Sequence, residues 1–242
     1  MDESKTKLLI GLGNPGKEYE NTRHNLGFMA LGHFLGKERP GESPRTFKSS
    51  LIVKTDFKGL KIILAWPATY MNLSGTAARE LVSFYKIEED DLLVIHDDMD
   101  LPVGKIKASK GKNSAGHNGV ESVERALGRD FARLRLGIGR PRKDPEGFGP
   151  DNVDHVLAAF APDERPGVTE SLERAAGVIP IWIKGDLAAL QRAVNKRTKP
   201  KRKADGEGEG EEKGEGNGKD EGKGNEKGKG NEKDNGKESG EG

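Results

Sequence analysis

Residues 11–27 read GLGNPGKEYENTRHNLG and directly follow a short apolar run at residues 7–10. An apolar run of this length that ends in glycines predicts a buried strand that leads into a loop. Gly11, Gly13 and Gly16 satisfy the pattern G-x-G-x-x-G, which occurs where a strand turns into a helix around a dinucleotide phosphate. The first interpretation of the stretch is therefore a nucleotide-binding turn.

The surroundings of the turn do not support a dinucleotide site. In such a site the glycine turn opens directly into a helix, and an acidic residue ends a second strand about 20 positions later. Here Pro15 and residues 19–21 delay the helix, and residues 29–35 have helical periodicity instead. A tight turn leaving a strand explains the glycines better. A nucleotide-dependent oxidoreductase stays as an alternative, and the missing second-strand acid argues against it.

Strand and helix patterns alternate along the rest of the chain. Periodicity predicts six helices. The first begins at Asn21 or Thr22 and ends near Gly36, and the second begins at Asn72 or Ser74 and includes Tyr85. The other four cover residues 119–127, 153–160, 166–183 and a segment from Asp186. Strands are predicted at residues 7–12, 51–57, 60–66, 92–95, 105–109 and 131–138, with a hairpin turn at Lys58 and Gly59. We expect an α/β fold, a single domain at residues 1–195 whose mixed, twisted central β-sheet is flanked by helices.

The charge of the chain is unevenly distributed. The whole chain has a net charge of +1, but residues 204–242 hold 13 acidic and 7 basic side chains, and residues 1–203 have a net charge of +7. A segment as poor in apolar residues as 204–242 buries too little surface to fold, so we expect a disordered acidic tail after a basic linker at 196–203. A basic domain is typical of a protein that binds a polyanion, although scattered surface charge explains the counts equally well.

The chain contains no cysteine. Disulfides, thiol nucleophiles and thiolate metal sites are therefore excluded, which suits a reducing compartment. The first residues include acids and too short an apolar run for a secretory signal, and no segment approaches the roughly 18 apolar residues that span a bilayer. We expect a soluble cytoplasmic protein without a membrane partner.

Polar side chains lie where predicted strands end and predicted helices begin. They are Asn14, His24, Asn72, Asp97 and Asn118. In an open α/β sheet such positions gather at one edge, where binding sites form. A neutral histidine is a general base near pH 7, a carboxylate holds its tautomer, and asparagine amides bind an amide or stabilise an oxyanion. Each residue alone is explained equally well as a turn residue, a cap or an exposed polar group, so the hypothesis depends on their co-occurrence.

Five segments together resemble one family. Residues 11–27, PATYMNLSG at 67–75, HDDMDLP at 96–102, GHNG at 116–119 and RLRLGIGRP at 133–141, in this order and at these spacings, are similar to bacterial peptidyl-tRNA hydrolase. The resemblance covers about residues 5–195. It implies a monomeric α/β enzyme that needs no metal or cofactor. Its partner is peptidyl-tRNA. The implied enzyme hydrolyses the ester between the peptide and the terminal ribose of the tRNA, so that the tRNA returns to translation.

The resemblance also implies roles for individual residues. His24 in TRHN matches the catalytic base that activates water, Asp97 the acid that supports it, and Asn14 the position that distinguishes blocked from free aminoacyl ends. The positions that match substrate and tRNA contacts are Tyr19, Tyr70, Asn72 and Asn118, with Met71 lining the site and His117 close to it. Because His24 is predicted near a helix N-terminus, whose dipole disfavours a cation, we expect it to rest as a neutral base.

Basic residues near the glycine-rich loop are candidates for phosphate contacts. The principal ones are Lys107 and Arg135, and the others are Lys105, Lys110, Lys112, Arg133 and the stretch 196–203. Solvated surface charge explains each lysine about equally well. The chain departs from the family pattern at Ala115, where many members have glycine, and at Ser109, where a basic residue is common. The tail has no counterpart in the family's short form, which suggests a solubilising role or inhibition of nonspecific RNA binding.

A catalytically silent, RNA-binding relative of the same fold, similar to plant chloroplast splicing factors, is the alternative function. The intact set of His24, Asp97 and three asparagines favours the enzyme, although such relatives can retain these residues.

Overall fold

The structure, a computed structural model, describes residues 5–111, 113–142 and 144–195. In these residues seven strands form one sheet, in the spatial order β2-β3-β4-β1-β5-β7-β6. The strands are β1 (Lys7–Gly11), β2 (Arg45–Phe47), β3 (Ser50–Phe57), β4 (Leu60–Pro67), β5 (Leu92–Asp98), β6 (Ile106–Lys110) and β7 (Ala132–Gly137). The helices are α1 (Leu26–Glu38), α2 (Ser74–Tyr85), α3 (Asn118–Leu127), α4 (Asn152–Leu157), α5 (Arg165–Lys184) and α6 (Leu187–Asn195).

The centre of the sheet is parallel and its edges are antiparallel, which confirms the predicted mixed α/β class. Strands β4, β1, β5 and β7 run parallel, β2 and β3 are added antiparallel at one side, and β6 at the other. The chain leaves β1 towards β4 and later returns to the other side of β1 as β5. In open α/β sheets, binding sites form at such a switch point, beyond the carboxyl ends of the strands. The loop after β1 and the end of β5 both lie there.

Alternating side chains of the central strands divide the core into two layers. On one face Leu9 and Ile95 belong to a cluster that includes Leu31 of α1 and Ile179 of α5. The opposite face carries a second cluster, which includes Leu8, Ile10 and Val94 of the sheet, Leu81 of α2 and Val120 of α3. A sheet covered on both faces explains the continuous apolar runs at residues 8–10 of β1 and 92–95 of β5.

The two ends of residues 11–27 meet in the structure. A Cβ atom on Gly11 would lie 2.6 Å from the carbonyl oxygen of Gly27. A Cβ atom on Gly27 would lie 2.3 Å from the carbonyl oxygen of Ile95 and 2.6 Å from that of Leu12. Glycine is therefore required for α1 to begin in direct contact with the backbone of β1 and β5. This close approach holds the turn Arg23–Asn25 beside the end of β5.

One helix begins later than the sequence predicts, and another begins at Ser74, the second of its two predicted starts. A 3-10 turn, Arg23–Asn25, precedes α1, which starts at Leu26 rather than at Asn21 or Thr22 and continues past Gly36 to Glu38. Another 3-10 turn, Met71–Leu73, precedes α2, so Asn72 lies in the turn and is not the helix cap. Such turns are frequent at helix N-termini, and their residue pattern does not distinguish them from the helix itself.

Most strands match the prediction. The hairpin between β3 and β4 turns at Lys58 and Gly59, whose φ angles of 54° and 85° suit a type I′ turn. The sequence does not predict β2, because a three-residue edge strand is too short to show alternation. The helix predicted at residues 153–160 is α4, which ends at Leu157.

No helix in the described part of the chain is long and apolar enough to cross a membrane. The predicted basic linker at 196–203 and acidic tail at 204–242 lie outside the described residues, as does Lys112.

Candidate active site

A cavity of about 710 Å³ opens at the carboxyl end of β5 and along β6 and β7. Six of the eleven principal residues predicted from the sequence line it, and so does the further candidate Arg133: the six are His24, Asp97, Lys107, His117, Asn118 and Arg135. They come from the turn before α1, the strands β5, β6 and β7, and the beginning of α3. The other five predicted residues lie outside this lining, and they are described below: Asn14, Tyr19, Tyr70, Met71 and Asn72.

A buried carboxylate joins two histidines in this cavity. Asp97 Oδ1 lies 3.0 Å from His24 Nδ1 and 2.9 Å from His117 Nε2. The Asp97 side chain is only 2% exposed, and both imidazoles are largely buried. Because an ionised carboxylate only accepts hydrogen bonds, both ring nitrogens donate a proton to the same oxygen. The sequence predicts the pairing of His24 with Asp97, but not the direct bond from His117.

The tautomer of His117 follows from its position as the cap of α3. Its Nδ1 accepts hydrogen bonds from the backbone amides of Gly119 at 3.1 Å and Val120 at 3.2 Å. A ring nitrogen that accepts carries no proton, so the network assigns the neutral ring with its proton on Nε2, directed at Asp97. Asn118, considered as a cap in the sequence, is instead the first residue of the helix.

The tautomer of His24 is assigned in the same way. Its Nδ1–H donates to Asp97, which leaves Nε2 with a free lone pair in the neutral ring. In the described part of the chain Nε2 forms no hydrogen bond to protein, and the ring lines the cavity. His24 is therefore a base whose accepting nitrogen is available to a molecule in the cavity.

The carboxyl of Asp97 stays ionised in this arrangement. Burial by itself raises the pKa of Asp97, but the two imidazoles that donate to it, His117 first and then His24, outweigh burial and hold that pKa well below its usual range. A carboxylate of low basicity does not remove the proton from His24. It orients the ring and stabilises its charged form.

A third histidine lies beneath this pair. His96 Nδ1 donates to the carbonyl oxygen of Asp97 at 2.7 Å, and its ring centroid is 5.0 Å from that of His117. Burial, followed by the neighbouring His117, lowers the pKa of His96 well below its usual value. His96 therefore remains neutral, and it supports the backbone of Asp97.

Asn14 lies in a network of amides beside the cavity. Its side-chain oxygen accepts from the backbone amide of Met71 at 2.8 Å. The backbone of Asn14 forms a reciprocal pair with the Asn25 side chain, with its amide donating at 2.8 Å and its carbonyl accepting at 3.0 Å. These bonds fix Asn14 so that its amide nitrogen is the group left for a ligand. Asn25, the residue after His24, is a structural partner that the sequence did not single out.

Met71 connects this network to the histidines. The Met71 side chain is buried, and a Cβ atom on Gly119 would lie 2.4 Å from its sulfur and 3.1 Å from Cε1 of His117. Met71 thus packs against the first turn of α3 where His117 is the cap. The remaining predicted residues are more accessible: Tyr70 is 60% exposed, Asn72 is exposed and Tyr19 is half-buried.

The predicted phosphate contacts differ in their surroundings. Lys107 is exposed and has no ion pair within the described residues. Arg135 donates to the Asp98 carboxylate at the cavity wall. Arg133 also lines the cavity, but it is only 2% exposed and donates to Glu124 at 2.8 Å in a buried ion pair. Lys110 pairs with Asp90 at 2.7 Å.

The loop before α3 accommodates the departures from the family pattern. Ala115 adopts a φ of 52°, in the left-handed region that favours glycine. Ser109 is buried in the cavity lining, and its hydroxyl has no hydrogen-bond partner among the described residues.

His24, Asp97 and His117 could also offer one ligand atom each to a metal ion, since these atoms lie within 4.8 Å of one another. As arranged, however, the ring nitrogens donate to the carboxylate oxygen. The geometry is that of a hydrogen-bonded base supported by an acid.

Comparisons with known proteins match the chain to one family. The family model described as peptidyl-tRNA hydrolase matches residues 8–203. A peptidyl-tRNA hydrolase of Bacillus cereus is 41% identical over 191 residues, which cover 78% of this chain and 99% of the relative. One from Oceanobacillus iheyensis is 42% identical over 180 residues, or 74% and 93% of the two chains. The crystal structure of peptidyl-tRNA hydrolase from Acinetobacter baumannii superposes with a TM-score of 0.72 at 29% identity, covering 81% of this chain and 97% of that one.

Proposed function

The chain belongs to the peptidyl-tRNA hydrolase family, an enzyme family that hydrolyses peptidyl-tRNA, and from this premise we propose that His24 is its general base and Asp97 the acid that supports it. The observation that carries the proposal is the bond from His24 Nδ1 to Asp97 Oδ1 in the wall of the cavity. The substrate is the ester between the carboxyl end of a peptide and the terminal ribose of tRNA.

The first step is attack by water on the ester carbonyl. Nε2 of His24 accepts a proton from the water while the water oxygen bonds to the carbonyl carbon. The positive charge that forms on the imidazole is stabilised by the Asp97 carboxylate, whose lowered pKa keeps the proton on His24. The bond between the carbonyl carbon and the ribose oxygen then breaks, and His24 returns its proton to that oxygen. The products are a peptide with a free carboxyl group and tRNA with a free ribose hydroxyl.

His117 is the positioning residue of this pair. It is fixed to α3 by two backbone amides and to Asp97 by its Nε2 proton. With one oxygen of Asp97 held from two directions, the carboxylate cannot turn away when His24 becomes charged. Asn118, beside it in the cavity lining, supplies an amide donor for the oxyanion.

We assign the selection of blocked aminoacyl ends to Asn14. Its side-chain oxygen is occupied by the amide of Met71, so its amide nitrogen is left to donate to the carbonyl of the peptide bond next to the ester. A free aminoacyl end lacks that carbonyl and places a charged amine there instead. The tRNA contacts that we propose are Lys107 and Arg135 at the cavity wall, together with Tyr19. Tyr70 and Asn72 are proposed to bind the substrate, and Met71 to line the site.

The proposed assembly is simple. A monomer with one catalytic domain at residues 1–195 acts on ribosome-free peptidyl-tRNA, using the side chains named above and no resident metal or cofactor. The basic stretch 196–203 and the acidic tail are appended to that domain.

The test is release of peptide from an N-acylated aminoacyl-tRNA by the full chain. We expect the His24→Ala variant to lose about 100-fold or more in kcat, because general-base catalysis contributes at least that factor. His33→Ala is the matched control, since His33 is an accessible histidine of α1 that pairs with Glu173 away from the cavity. We expect its rate to equal that of the unaltered chain.

Three results would contradict parts of the proposal. Undiminished turnover by His24→Ala would remove His24 as the base. Binding of the substrate by the unaltered chain without any hydrolysis would indicate the catalytically silent, splicing-factor-like relative instead. Hydrolysis of the unacylated aminoacyl-tRNA at an equal rate would contradict the role of Asn14.

A further inference from the structure

An aromatic surface lies at the side of the sheet formed by β2 and β3, away from the residues of the proposed mechanism. We define it by five residues: Phe47 at the end of β2, Lys48 in the turn, Lys54 on β3, and Phe84 and Tyr85 at the end of α2. All of them except Lys48 border a depression of about 890 Å³. None of them has a role in the hydrolysis proposed above.

The three rings of the aromatic surface contact one another. Phe84 meets Phe47 and Tyr85 edge to face, each with ring centroids 4.9 Å apart, and Phe47 and Tyr85 are 5.5 Å apart. Phe84 remains 56% exposed despite these contacts. An apolar core residue would be covered, whereas more than half of the surface of Phe84 is open to solvent.

Cations accompany these rings. Lys48 Nζ lies 5.2 Å from the Phe84 ring and Lys54 Nζ 5.2 Å from the Tyr85 ring. Neither lysine, nor the neighbouring Arg45, forms an ion pair within the described residues. The nearby carboxylates form hydrogen bonds with other groups and not with these lysines. Glu80 accepts from the Ser49 amide and Glu42 from the Thr55 hydroxyl. The surface therefore offers free positive charge beside exposed aromatic rings.

The backbone connects this surface to the candidate active site. The turn between β2 and β3 is bonded to the end of β4, where the Ala68 amide donates to the Ser49 carbonyl at 2.8 Å. Three residues later the Met71 amide donates to Asn14. The exposed ring of Tyr70 lies in the segment between them.

We propose that the aromatic surface binds a single-stranded segment of the RNA substrate, with a base stacked on Phe84 and phosphates beside Lys48 and Lys54. The proposal rests on the proposed function, which supplies an RNA substrate. Aromatic rings bind unpaired bases by stacking, whereas the bases of a duplex are already stacked on one another. Lysines bind the phosphates between them without regard to sequence. The combination of exposed rings and unpaired cations favours single-stranded over double-stranded RNA.

The experiment measures fluorescence anisotropy of a labelled single-stranded RNA of about eight nucleotides, a length within the range of known single-strand sites. The full chain is compared with Phe84→Leu and Phe84→Trp. Leucine keeps an apolar group against Phe47 but cannot stack, so we expect affinity to fall about 5-fold or more. Tryptophan stacks at least as well, so we expect its affinity to be retained.

The lysines are tested by the salt dependence of the same binding. Affinity falls as salt rises, so log affinity against log salt has a negative slope. Replacing Lys48 and Lys54 together by glutamine should make this slope less steep by about 1.4, since each phosphate contact to a single strand contributes about 0.7. Lys61→Gln is the matched control, because Lys61 is an exposed lysine of β4 outside this surface. We expect the slope of the Lys61→Gln variant to differ from that of the unaltered chain by less than about 0.7.

Several outcomes would overturn the proposal. Equal affinity of the Phe84→Leu variant and the unaltered chain would remove stacking, and an equal loss with Phe84→Trp would indicate a structural effect. Loss of concentration-dependent self-association in the variants, with RNA affinity unchanged, would assign the surface to contact between copies of the chain. Hydrolysis by the full chain is measured beside the binding. An inactive chain contradicts the proposed function, whereas an active chain with unchanged RNA affinity in every variant contradicts this surface alone.

Discussion

One oxygen of Asp97 accepts protons from two imidazoles whose remaining nitrogens have different tasks. Nδ1 of His117 is occupied by the backbone of α3, and Nε2 of His24 is open to the cavity. The same carboxylate therefore joins a ring that is fixed as part of the scaffold to a ring that is free to exchange a proton. This asymmetry is why we propose His24, and not His117, as the base.

Substitution can separate the two roles of His117, which is both the cap of α3 and a hydrogen-bond donor to Asp97. His117→Ala removes the cap of α3 and the bond to Asp97, so we expect kcat to fall and the free energy of unfolding to drop by about 1 kcal/mol. His117→Asn retains a good capping side chain, but that side chain is too short to replace the imidazole at Asp97. We expect it to keep the stability and to lose activity like the alanine variant. Urea unfolding and peptide release measure the two effects. Full activity in the asparagine variant would contradict the positioning role.

The sequence predicts part of this arrangement for a physical reason. His24 follows β1 and Asp97 lies at the end of the neighbouring strand β5, and the carboxyl ends of parallel strands share one edge of the sheet. The contribution of His117 could not be predicted in the same way. Its ring is oriented by amides of a helix whose first residue, Asn118, appeared to be an equally good cap. The reciprocal pairing of Asn14 with Asn25 likewise depends on the fold of the turn.

At the scale of elements, the distance between α1 and the sheet is set by glycine. The side of α1 that bears Gly27 touches the backbone of Leu12 and Ile95, and the turn with His24 precedes it directly. Backbone cannot give way as a flexible side chain can. The position of His24 therefore depends on Gly27, a residue that has no side chain.

We expect Gly27→Ala to lower the free energy of unfolding by about 1–3 kcal/mol, because a methyl group there would overlap the backbone of two strands. The shift of α1 should also lower kcat. Gly32→Ala on the same helix is the control, since a Cβ atom there meets nothing within 4 Å. Alanine at that exposed position should instead add about 0.5–1 kcal/mol. Denaturant unfolding measures the stability of both variants and of the unaltered chain. If Gly27→Ala were as stable as the unaltered chain, α1 could shift without loss of stability.

Elements with a regular pattern were predictable and short irregular ones were not. The hairpin of β3 and β4 shows both alternation and a turn signal, and the apolar run of β5 fits a strand covered on both faces. The 3-10 turns before α1 and α2 lack such a signal. Their positions depend on close packing of the backbone, as at Gly27, which hydrophobic periodicity does not encode.

For the whole molecule, the buried His96 predicts a loss of stability in acid. Its pKa is lowered in the folded chain and ordinary, near 6.5, in the unfolded chain, so below about pH 6.5 the unfolded chain binds a proton that the folded chain does not. The stability that His96 contributes is present above that pH and is lost as the pH falls. We expect the free energy of unfolding to decrease by up to about 1.4 kcal/mol per pH unit below it.

His96→Asn is the comparison for this prediction. Its amide can still donate to the Asp97 carbonyl, as His96 Nδ1 does, but it does not titrate. The slope between pH 6.5 and 5 should be flatter in the variant than in the unaltered chain. Asp97 does not account for a slope in this range, because its lowered pKa shifts its contribution to lower pH, where stability falls as the carboxylate is protonated. Identical slopes in the two proteins would contradict the assignment to His96.

The charge imbalance of the whole chain gives a further prediction. Removing residues 204–242 leaves residues 1–203 with a net charge of +7 in place of the +1 of the whole chain. If the acidic tail inhibits nonspecific binding, tRNA affinity at low salt should rise on its removal, and the difference should shrink as salt screens both charges. Filter binding at two salt concentrations measures this. Unchanged affinity at low salt would leave only the solubilising role.

Ala115 has a consequence for the entropy that the chain loses when the loop before α3 folds. A left-handed alanine costs about 1–2 kcal/mol relative to its preferred conformations, a cost that glycine would not incur. Alanine also has fewer conformations than glycine in the unfolded chain, so less conformational entropy is lost when this loop is ordered. The two effects oppose each other. Ala115 therefore destabilises the folded chain by less than its left-handed conformation alone would suggest.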